Sequence, residues 1–535
     1  MTDSDYAVHR DYNAVQDFVD APVARGLGDR IAFTDPTRSL SYDALQSATC
    51  RFAHGLMRLG LRQESRVVLL MFDTVDYPIA FWGAIRAGIV PVPLNTLLTS
   101  EQYAYILEDS RAEAVVISTS LIKSIEPVID RLTLLRLVIV AGAGPGAECC
   151  CGRFPTHRFD DVLGDGAPAP WTAQTLSDEV AFWLYSSGST GDPKGVKHVH
   201  TSLIATARLY GEGVLGITAE DVVFSAAKLF FAYGLGNSMS FPMAVGASAV
   251  LLPDRPTPDA VLEVMRRHRP TIFFGSPALY AGLLAHHDIG GGAGSDRLRL
   301  CVSAAEALPP HIGERWRQVV GVDILDGIGS TEMLHIFLSN RQNEIRWGTS
   351  GKPVPGYDAK IVGEDGSELG DGEIGELVVR GPSSAEGYWN QRAKTRRTFA
   401  GEWTYTGDKY LRDRDGYYQY CGRTDDMFKV SGVWVSPFEV EAVLMSHAAV
   451  LASAVIARKD HDDLVKPKAF VVLKVGCAAD PQLFEELKAH VKQHAGVWKY
   501  PRWIEVREEL PMTATGKVQR FKLREEDAVG DRPDA

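Results

Sequence analysis

Short apolar runs alternate with helical patterns over the first part of the chain, and this alternation constrains the fold more than any other sequence feature. Residues 41–60 have apolar side chains at helical spacing and end in a glycine, and residues 78–88 form a second helical pattern. Residues 66–72, 88–95 and 112–118 have the length and apolar content of buried strands. Strands and helices in this order predict an α/β fold with parallel strands and layered helices.

The pattern changes after about residue 352. Residues 359–382 contain short strands separated by Asp-Gly and Gly-Glu turns, which predicts a β-rich subdomain. Further along, the α/β pattern returns, with a helix between Asp480 and Gly496 that Asp480 caps. We therefore predict a large N-terminal domain of layered sheets and helices over residues 1–425 and a small α+β C-terminal domain over residues 426–535.

Composition narrows the classes of function and the compartment. The 535 residues are 45% hydrophobic and 23% charged, as in ordinary globular proteins, and the net charge is -12. An acidic chain repels phosphate backbones, so nucleic acid is not an expected partner, although local loops can still bind a small anion. Seven cysteines without a C-x-x-C pair indicate free thiols in a reducing cytoplasm, and the acidic N-terminus has no apolar segment typical of a signal peptide.

One uncharged stretch, residues 229–253, is long enough to span a bilayer. It contains glycine, asparagine, serine and proline, which interrupt a lipid-facing helix. We therefore predict a buried strand–loop–strand region here and no association with a membrane.

The apolar run at residues 181–185 is followed by a phosphate-binding candidate, S-S-G-S-T-G-D-P-K-G at residues 186–195, here called the phosphate loop. Glycines let backbone N–H groups approach an anion closely, hydroxyl groups add donors, and Lys194 adds a positive charge. The loop is not a Walker A loop, because Lys194 is followed by glycine instead of serine or threonine. Composition alone leaves two interpretations open, a polyphosphate site and a solvated surface turn.

The order of residues in this loop resembles the phosphate loop of the adenylate-forming superfamily, which includes acyl-CoA synthetases, firefly luciferase and the adenylation domains of peptide synthetases. Four further segments resemble the nucleotide, ribose, hinge and catalytic-lysine motifs of that superfamily in the same order: 326–334, 405–410, 422–441 and 511–520. Three segments narrow the resemblance to benzoate–CoA ligases and their hydroxybenzoate relatives: 229–238, 303–309 and 326–340.

The resemblance implies a two-step reaction with ATP, Mg²⁺ and coenzyme A. The carboxylate attacks the α-phosphorus of ATP to form an acyl-adenylate, and a thiol then displaces AMP. Lys517 is implied to bridge the carboxylate and the α-phosphate, Glu332 to hold Mg²⁺ with help from Thr190, and Asp408 to bind the ribose beside Arg423. The implied nucleotide site comprises Ser186, Ser187, Gly188, Ser189, Thr190, Gly191, Lys194, Ala305, Glu306, Asp326, Gly327, Ile328, Ser330, Thr331, Asp408 and Arg423.

Ile328 departs from the wider superfamily, in which most members have an aromatic residue that packs on adenine at this position. An isoleucine covers the purine face with a reduced stacking energy. The aryl-CoA ligases share this change, so it supports the narrower resemblance.

The acid pocket is implied to be a flat slot with small residues on one side and apolar walls on the other, formed by Ala232, Tyr233, Gly234, Gly327, His335 and Ile336. His335 has two open interpretations, since it orients the carboxylate or packs as a neutral core histidine. Lys429, Ser431 and Gly432 are implied to line the path of the coenzyme A arm. Asp425 is implied to be the hinge about which a mobile C-terminal domain rotates between the two steps.

These expectations predict an ATP-dependent aryl-CoA ligase, an AMP-forming acid–thiol ligase that converts benzoate to benzoyl-CoA, AMP and pyrophosphate. A 4-hydroxybenzoate or aminobenzoate CoA ligase has the same mechanism and is the main alternative. An enzyme that loads a carrier protein and a silent nucleotide-binding protein are two further alternatives. The predicted partners are a small aromatic carboxylate, ATP and coenzyme A in the cytoplasm, and a homodimer is an assembly state that the sequence leaves open.

Overall fold

The computed structural model describes residues 8–144, 151–166, 169–188, 191–430, 433–461, 464–512 and 518–530. Within these residues the chain forms two compact units. The larger unit contains the described residues of Met1–Gly188, Asp192–Ala359 and Val379–Tyr405, and the smaller unit those of Ser189–Gly191, Lys360–Val378 and Thr406–Ala535. The predicted domain boundary between residues 425 and 426 remains a prediction.

A five-stranded parallel sheet in the larger unit contains the strands predicted near the N-terminus. Its strands lie in the order Val90–Pro93, Arg66–Leu70, Ala114–Ser118, Leu137–Ala141 and Thr156–Arg158. Most of their side chains are buried, as expected for parallel strands covered on both faces.

A nine-stranded sheet forms the second layer of the larger unit. It is parallel in its middle and antiparallel at both edges, where chain reversals add short strands. The strand order is Lys352–Pro353, Ile336–Ser339, Ile324–Gly329, Leu300–Ser303, Ile272–Gly275, Val222–Ser225, Ser248–Val250, Ile31–Thr34 and Ser39–Ser41.

A three-stranded sheet flanks the phosphate loop. Strands Val180–Gly188 and Gly191–Val199 are neighbours in it, and the short strand Gly387–Tyr388 pairs with the second of them. The apolar run that precedes the loop is therefore a strand, as predicted from the sequence.

The first long helix of the larger unit begins and ends at residues that are typical helix signals. Helix Tyr42–Arg58 begins after Ser41, whose Oγ accepts a hydrogen bond from the Ala44 backbone N–H, and it is followed by Gly60 with φ of 85°. The other α-helices are Ala21–Ala24, Asp76–Arg86, Ser100–Asp109, Ile122–Ile129, Phe159–Leu163, His200–Thr206, Ala232–Leu235, Phe241–Val245, Pro258–His268, Pro277–Ala285, Pro310–Val320 and Arg392–Thr398. Short 3₁₀ or π turns occur at Gln16–Asp20, Thr119–Leu121, Ala207–Glu212, Gly236–Ser240 and Gly291–Gly294.

The prediction of a strand–loop–strand region at residues 229–253 is wrong. Residues 232–245 are continuous helical structure with a π turn in the middle, and only Ser248–Val250 is a strand. Most of these residues are buried and the others are half-buried, so no exposed polar face reveals the helical period in the sequence. Gly246 ends the helix in the left-handed conformation with φ of 82°. No helix in the described part of the chain is long and apolar enough to cross a membrane.

The smaller unit has its own core between a three-stranded sheet and the first two of the three helices in its described residues. The sheet order is Val450–Lys459, Val465–Leu473 and Trp503–Val506, and the helices are Pro437–Met445, Pro481–Ala495 and Arg520–Gly530. The predicted Asp480 cap is present, because its Oδ1 accepts a hydrogen bond of 2.7 Å from the Leu483 backbone N–H.

Several strands, most of them short, confirm the β-rich character predicted for the region after residue 352. They are Asp358–Val362, Gly375–Arg380, Phe399–Ala400, Trp403–Arg412, Tyr418–Arg423, Phe428–Val430 and Val433–Val435. Residues 408–412 pair with residues 418–423, and this pairing brings two predicted site residues opposite each other.

Candidate active site

The phosphate loop is described only in part. Ser189 and Thr190 lie outside the described residues, and of Ser187, Gly188 and Gly191 only the backbone is described. The Oγ atom of Ser186 is buried and has no hydrogen-bond partner within the described part of the chain. A buried hydroxyl without a partner at the start of an anion-binding candidate fits a ligand that accepts hydrogen bonds.

Lys194 and Glu332 lie 138 residues apart in sequence and form a partly buried ion pair. Lys194 Nζ donates a hydrogen bond of 3.2 Å to Glu332 Oε1 and a second of 2.9 Å to the hydroxyl of Tyr388. The Tyr388 hydroxyl in turn donates a hydrogen bond of 2.8 Å to Glu332 Oε1. The side chains of Lys194 and Glu332 are only 17% and 15% exposed, so water screens this pair weakly. We call these three residues the charged cluster.

The charged cluster keeps Glu332 ionised. Burial raises the pKa of this carboxyl, but the positive charge of Lys194 and the hydroxyl of Tyr388 outweigh burial and lower the pKa below its ordinary value. An ionised carboxylate oxygen is the ligand type that Mg²⁺ prefers, so the chemistry of this side chain fits the predicted metal role.

The backbone of the turn after strand Ile324–Gly329 is fixed on three sides. Ser330 Oγ accepts a hydrogen bond from the Met333 backbone N–H, His198 Nε2 lies 2.8 Å from the Thr331 carbonyl oxygen, and the Glu332 carbonyl accepts a 2.8 Å bond from Ala385. These bonds set the direction in which the Glu332 side chain leaves the turn.

Asp326 is a buried carboxyl on the strand that precedes this turn. Its Oδ2 accepts a hydrogen bond of 3.3 Å from the Leu308 backbone N–H, and its Oδ1 has no partner within the described residues. Burial raises the pKa of Asp326 to about 8, so the carboxyl is mostly protonated at neutral pH. Ala305 and Glu306 follow strand Leu300–Ser303 in an exposed turn, and Ala305 has a φ of 80°.

His335 is fixed in one tautomer by two acceptors. Its Nε2 lies 3.3 Å from the carbonyl oxygen of Tyr233 and 3.2 Å from Asn237 Oδ1, so Nε2 carries the hydrogen. Burial lowers the pKa of His335 to about 3, which leaves the ring neutral. Nδ1 is then an acceptor, and this buried atom has no partner within the described residues. Sequence reasoning found no residue that fixes the tautomer, and Asn237 is that residue.

Aromatic rings surround the imidazole. The rings of Tyr210, Tyr233 and Phe241 have centroids 4.5 to 5.6 Å from that of His335. A Cβ atom at Gly236 would lie 2.4 Å from His335 Cδ2, so glycine is needed for the imidazole to fit. We call this group the histidine pocket.

The other predicted pocket residues lie on the elements that form this region. Ala232, Tyr233 and Gly234 open the helical segment after residue 231, and a Cβ at Gly234 would lie 2.1 Å from the Lys228 carbonyl oxygen. The Tyr233 hydroxyl donates to the Val302 carbonyl oxygen at 3.2 Å, with the Gly275 carbonyl at 3.4 Å.

The remaining pocket residues, Gly327 and Ile336, lie on the neighbouring strands Ile324–Gly329 and Ile336–Ser339. Gly327 and Ile328 pair with Ser339 and Leu338, and a Cβ at Gly327 would lie 3.1 Å from Ile336 Cγ2. The same Cβ would lie 2.8 Å from the Leu338 carbonyl oxygen, so a larger side chain at residue 327 would displace both the neighbouring strand and the Ile336 side chain.

The predicted ribose residues are paired within the smaller unit. Arg423 Nη1 donates a hydrogen bond of 2.9 Å to Asp408 Oδ1, and the two residues are direct cross-strand partners. Arg423 also donates to the Thr406 carbonyl oxygen at 3.2 Å, which orients its guanidinium group.

The hinge and coenzyme A candidates are on the surface of the smaller unit where they are described. Asp425 is exposed, and its neighbour Asp426 accepts a hydrogen bond of 2.9 Å from Arg524. Lys429 is exposed, with its Nζ 3.3 Å from Glu364 Oε1. Ser431, Gly432 and Lys517 lie outside the described residues, so their roles remain predictions.

Sequence reasoning missed two residues of these clusters. Tyr388 lies in a two-residue strand, which is too short to give a periodic pattern in the sequence. Asn237 was not predicted to contact His335, because the region around it was predicted to be strand and loop.

The chain belongs to the family of AMP-binding enzymes. It matches the family described as AMP-binding enzyme over residues 21–389 and the AMP-binding enzyme C-terminal domain over residues 439–517.

Four relatives illustrate where the chain lies in this family. It is 54% identical over 96% of its length to the 4-hydroxybenzoate–CoA/benzoate–CoA ligase of Rhodopseudomonas palustris, covering 94% of that protein. It is 52% identical to the benzoate–CoA ligase of Thauera aromatica, covering 96% of each chain. Among solved structures, a benzoate CoA ligase from Burkholderia xenovorans has a TM-score of 0.87 and 47% identity, covering 96% of this chain and 100% of that one. An anthranilate CoA ligase solved with anthranoyl-AMP has a TM-score of 0.91 and 40% identity, covering 99% of each chain.

These similarities confirm three predictions. The α/β fold with a large N-terminal and a small C-terminal part is correct, as is membership of the adenylate-forming superfamily. The enzyme class is that of an AMP-forming acid–thiol ligase, and its substrates are an acid, ATP and coenzyme A.

Proposed function

We propose that this protein is an ATP-dependent aryl-CoA ligase and that benzoate is its acid substrate. One observation carries the proposal: the lysine of the phosphate loop and the carboxylate of Glu332 converge in the charged cluster, while the same strand-turn segment leads into the neutral, aromatic histidine pocket. Charged groups suit the polyphosphate, and a neutral pocket suits a single planar ring.

The proposed first step joins the acid to AMP. A carboxylate oxygen attacks the α-phosphorus, the bond from that phosphorus to the bridging oxygen breaks, and pyrophosphate leaves with the bonding electrons. Lys194 and the Ser186 hydroxyl donate to the phosphate oxygens, and Lys517 neutralises the approach of two anions. Mg²⁺, when bound at Glu332 with Thr190, supplies further positive charge to the phosphates. Asp408 and Arg423 bind the ribose side of the nucleotide.

The proposed second step forms the thioester. The sulfur of coenzyme A attacks the acyl carbonyl, the bond to the AMP oxygen breaks, AMP leaves with the electron pair, and the thiol proton passes to solvent. Asp425 is the proposed hinge between the two steps, and Lys429, Ser431 and Gly432 flank the thiol arm. Mg²⁺ as the metal, a cytoplasmic location and a homodimeric state belong to this proposal.

A second candidate substrate class is favoured by the unpartnered Nδ1 of His335. A buried acceptor left without a donor costs about 1–3 kcal/mol, and a ring hydroxyl or amino group would supply the missing donor. This favours 4-hydroxybenzoate or an aminobenzoate as an additional substrate, and the name of the Rhodopseudomonas relative combines 4-hydroxybenzoate with benzoate.

An acid panel tests the proposal directly. Benzoate, 4-hydroxybenzoate, 2-aminobenzoate and a long-chain fatty acid are each incubated with ATP and Mg²⁺, and AMP formation is measured with and without coenzyme A. We expect AMP release that needs both an aromatic acid and coenzyme A, and no activity with the long-chain acid. Acid-dependent pyrophosphate release with no thioester formed and no consumption of coenzyme A when it is supplied would indicate an enzyme that loads a carrier protein instead.

A further inference from the structure

Tyr388 lies on the short strand Gly387–Tyr388, which pairs with the chain segment that follows the phosphate loop. Gly387 and Tyr388 pair with Lys197 and Val196, and the Trp389 backbone N–H donates a 2.8 Å hydrogen bond to the Gly195 carbonyl oxygen. The backbone of this short strand therefore fixes residues 195–197, directly after Lys194.

The side chain of Tyr388 is placed equally firmly. The residue is 5% exposed, its backbone N–H donates to Thr395 Oγ1 at 3.1 Å, and its ring packs against Phe399 at a centroid distance of 5.5 Å. A hydroxyl held this way has a defined position beside the two charged groups.

That hydroxyl serves both charges at once. It accepts a hydrogen bond from Lys194 Nζ at 2.9 Å through a lone pair and donates its own hydrogen to Glu332 Oε1 at 2.8 Å. Hydrogen bonds to ionised groups are stronger than those between neutral groups, so the hydroxyl restrains the lysine and the carboxylate alike.

Lys194 and Glu332 neutralise each other in the free protein, yet their proposed ligands carry opposite charges. The phosphates attract Lys194, and the metal attracts Glu332, so binding requires the pair to exchange partners. When Lys194 moves to the phosphates, the carboxylate of Glu332 loses the hydrogen bond from Lys194 Nζ. A hydroxyl that keeps donating to Oε1 holds the carboxylate in place after the lysine has moved.

We propose that Tyr388 is a positioning residue that holds Glu332 in the orientation for the metal while Lys194 exchanges Glu332 for the nucleotide phosphates. The proposal rests on the proposed nucleotide roles of Lys194 and Glu332. It predicts that Tyr388 sets the requirement for Mg²⁺ more than the affinity for the nucleotide itself.

The test measures binding, with no turnover. Binding of the non-cleavable analogue α,β-methylene-ATP is measured by calorimetry at increasing Mg²⁺ for the wild type and Tyr388→Phe. We expect the Mg²⁺ concentration for half-maximal binding to rise about tenfold in Tyr388→Phe, the scale of one lost hydrogen bond to a charged group. Analogue binding without metal should change by less than about twofold, since no nucleotide contact is removed.

Tyr103→Phe is the matched control. The Tyr103 hydroxyl is also buried and also both donates, to the Asn95 carbonyl oxygen at 2.9 Å, and accepts, from the Leu98 backbone N–H at 3.2 Å. It lies outside the charged cluster, so the Mg²⁺ requirement of Tyr103→Phe should equal that of the wild type even when its thermal stability is lower.

A double mutant separates positioning from general damage. If Tyr388 acts through Glu332, the Mg²⁺ shift caused by Tyr388→Phe should disappear in a Glu332→Gln background. An unchanged Mg²⁺ requirement in Tyr388→Phe, or an equal shift in both backgrounds, would overturn the inference while leaving the proposed function intact. A wild type that does not bind the analogue at all would overturn the proposed function and the inference together.

Discussion

The charged cluster and the histidine pocket solve the problem of buried polar groups in opposite ways. In the charged cluster, Glu332 stays ionised because Lys194 pairs with it and Tyr388 bonds to both side chains. In the histidine pocket, burial lowers the pKa of His335 to about 3, and the ring stays neutral beside the Asn237 amide and three aromatic rings. The charged cluster keeps its carboxylate ionised by pairing it, whereas burial in the histidine pocket keeps the imidazole uncharged.

This difference corresponds to two halves of one proposed substrate complex. A polyphosphate needs a positive charge and a ligand for its metal. An ion pair supplies both when its two members separate on binding. A planar ring needs an apolar slot, in which a charged imidazole would remain costly to desolvate. The sharpest way to test the comparison is to remove one polar group from each region and compare what is lost.

Removing the carboxylate of the charged cluster should have the largest effect. Glu332→Gln keeps the shape of the side chain but loses its charge, and we expect adenylate formation to fall about a hundredfold or more, the scale of one preorganised electrostatic contact. Pyrophosphate release with a saturating acid measures this loss. Glu386→Gln is the control, because Glu386 is exposed on the nearby chain segment, and its rate should stay within about twofold. Equal losses in the two variants would show that Glu332 has no special role.

Removing the acceptor of the histidine pocket should change selectivity more than rate. His335→Phe deletes Nδ1 and keeps an aromatic ring, so kcat/KM for 4-hydroxybenzoate or 2-aminobenzoate should fall about tenfold relative to benzoate. Tyr233→Phe is the contrasting variant, because the Tyr233 hydroxyl already donates to the Val302 carbonyl oxygen. Its loss should affect all three acids by a similar factor. Should Tyr233→Phe change the ranking and His335→Phe leave it unchanged, the tyrosine would be the residue that recognises the ring substituent.

The two regions also differ in how far the sequence predicted them. Lys194 and Glu332 were both named from ordered motifs, because the phosphate loop and the 330–333 turn are local structures that short motifs specify. The capped helix Tyr42–Arg58 was predictable for the same reason, since its Ser41 cap and its apolar spacing lie within a few turns. The ion pair between Lys194 and Glu332, across 138 residues, was not predicted.

Contacts made over long sequence distances were not predictable in this way. Tyr388 reaches Lys194 across 194 residues from a two-residue strand, and no periodic pattern marks it. Asn237 lies in a helical segment buried on all sides, where the apolar period disappears and the sequence favoured strands. The tautomer of His335 follows from tertiary contacts alone, which is why its role stayed open at the level of sequence.

Asp326 offers a smaller test of how burial controls charge. Its pKa is raised by burial to about 8, so between the ordinary carboxyl pKa of about 4 and this value the folded protein holds a proton that the unfolded chain has lost. Stability should therefore fall as pH rises through this window. Asp326→Asn stays neutral throughout, so its melting temperature relative to the wild type should rise by a few degrees from about pH 6 to about pH 8.5. The exposed Asp160→Asn should show no such trend, and a pH-independent difference for Asp326→Asn would mean that the carboxyl is already ionised.

The smallest expected effect is the most specific test of a neutral histidine pocket. A histidine with a pKa of about 3 does not titrate near its ordinary value, so the hydrogen-bonding character of Nδ1 stays the same above about pH 5. His335 lowers the stability of the folded protein only as pH falls below the ordinary pKa of histidine, because only the unfolded chain then binds a proton at this residue. Substrate selectivity should accordingly be flat: the ratio of kcat/KM for 4-hydroxybenzoate to that for benzoate should vary by less than about twofold between about pH 5.5 and pH 7.5. Groups of the charged cluster give the rate for each acid a dependence on pH. This dependence cancels in the ratio, because both acids react with ATP at the same phosphate site. A step in the ratio centred near pH 6.5 in the wild type and absent in His335→Phe would show that His335 becomes charged, and the contrast between a paired charge at one site and a removed charge at the other would no longer hold.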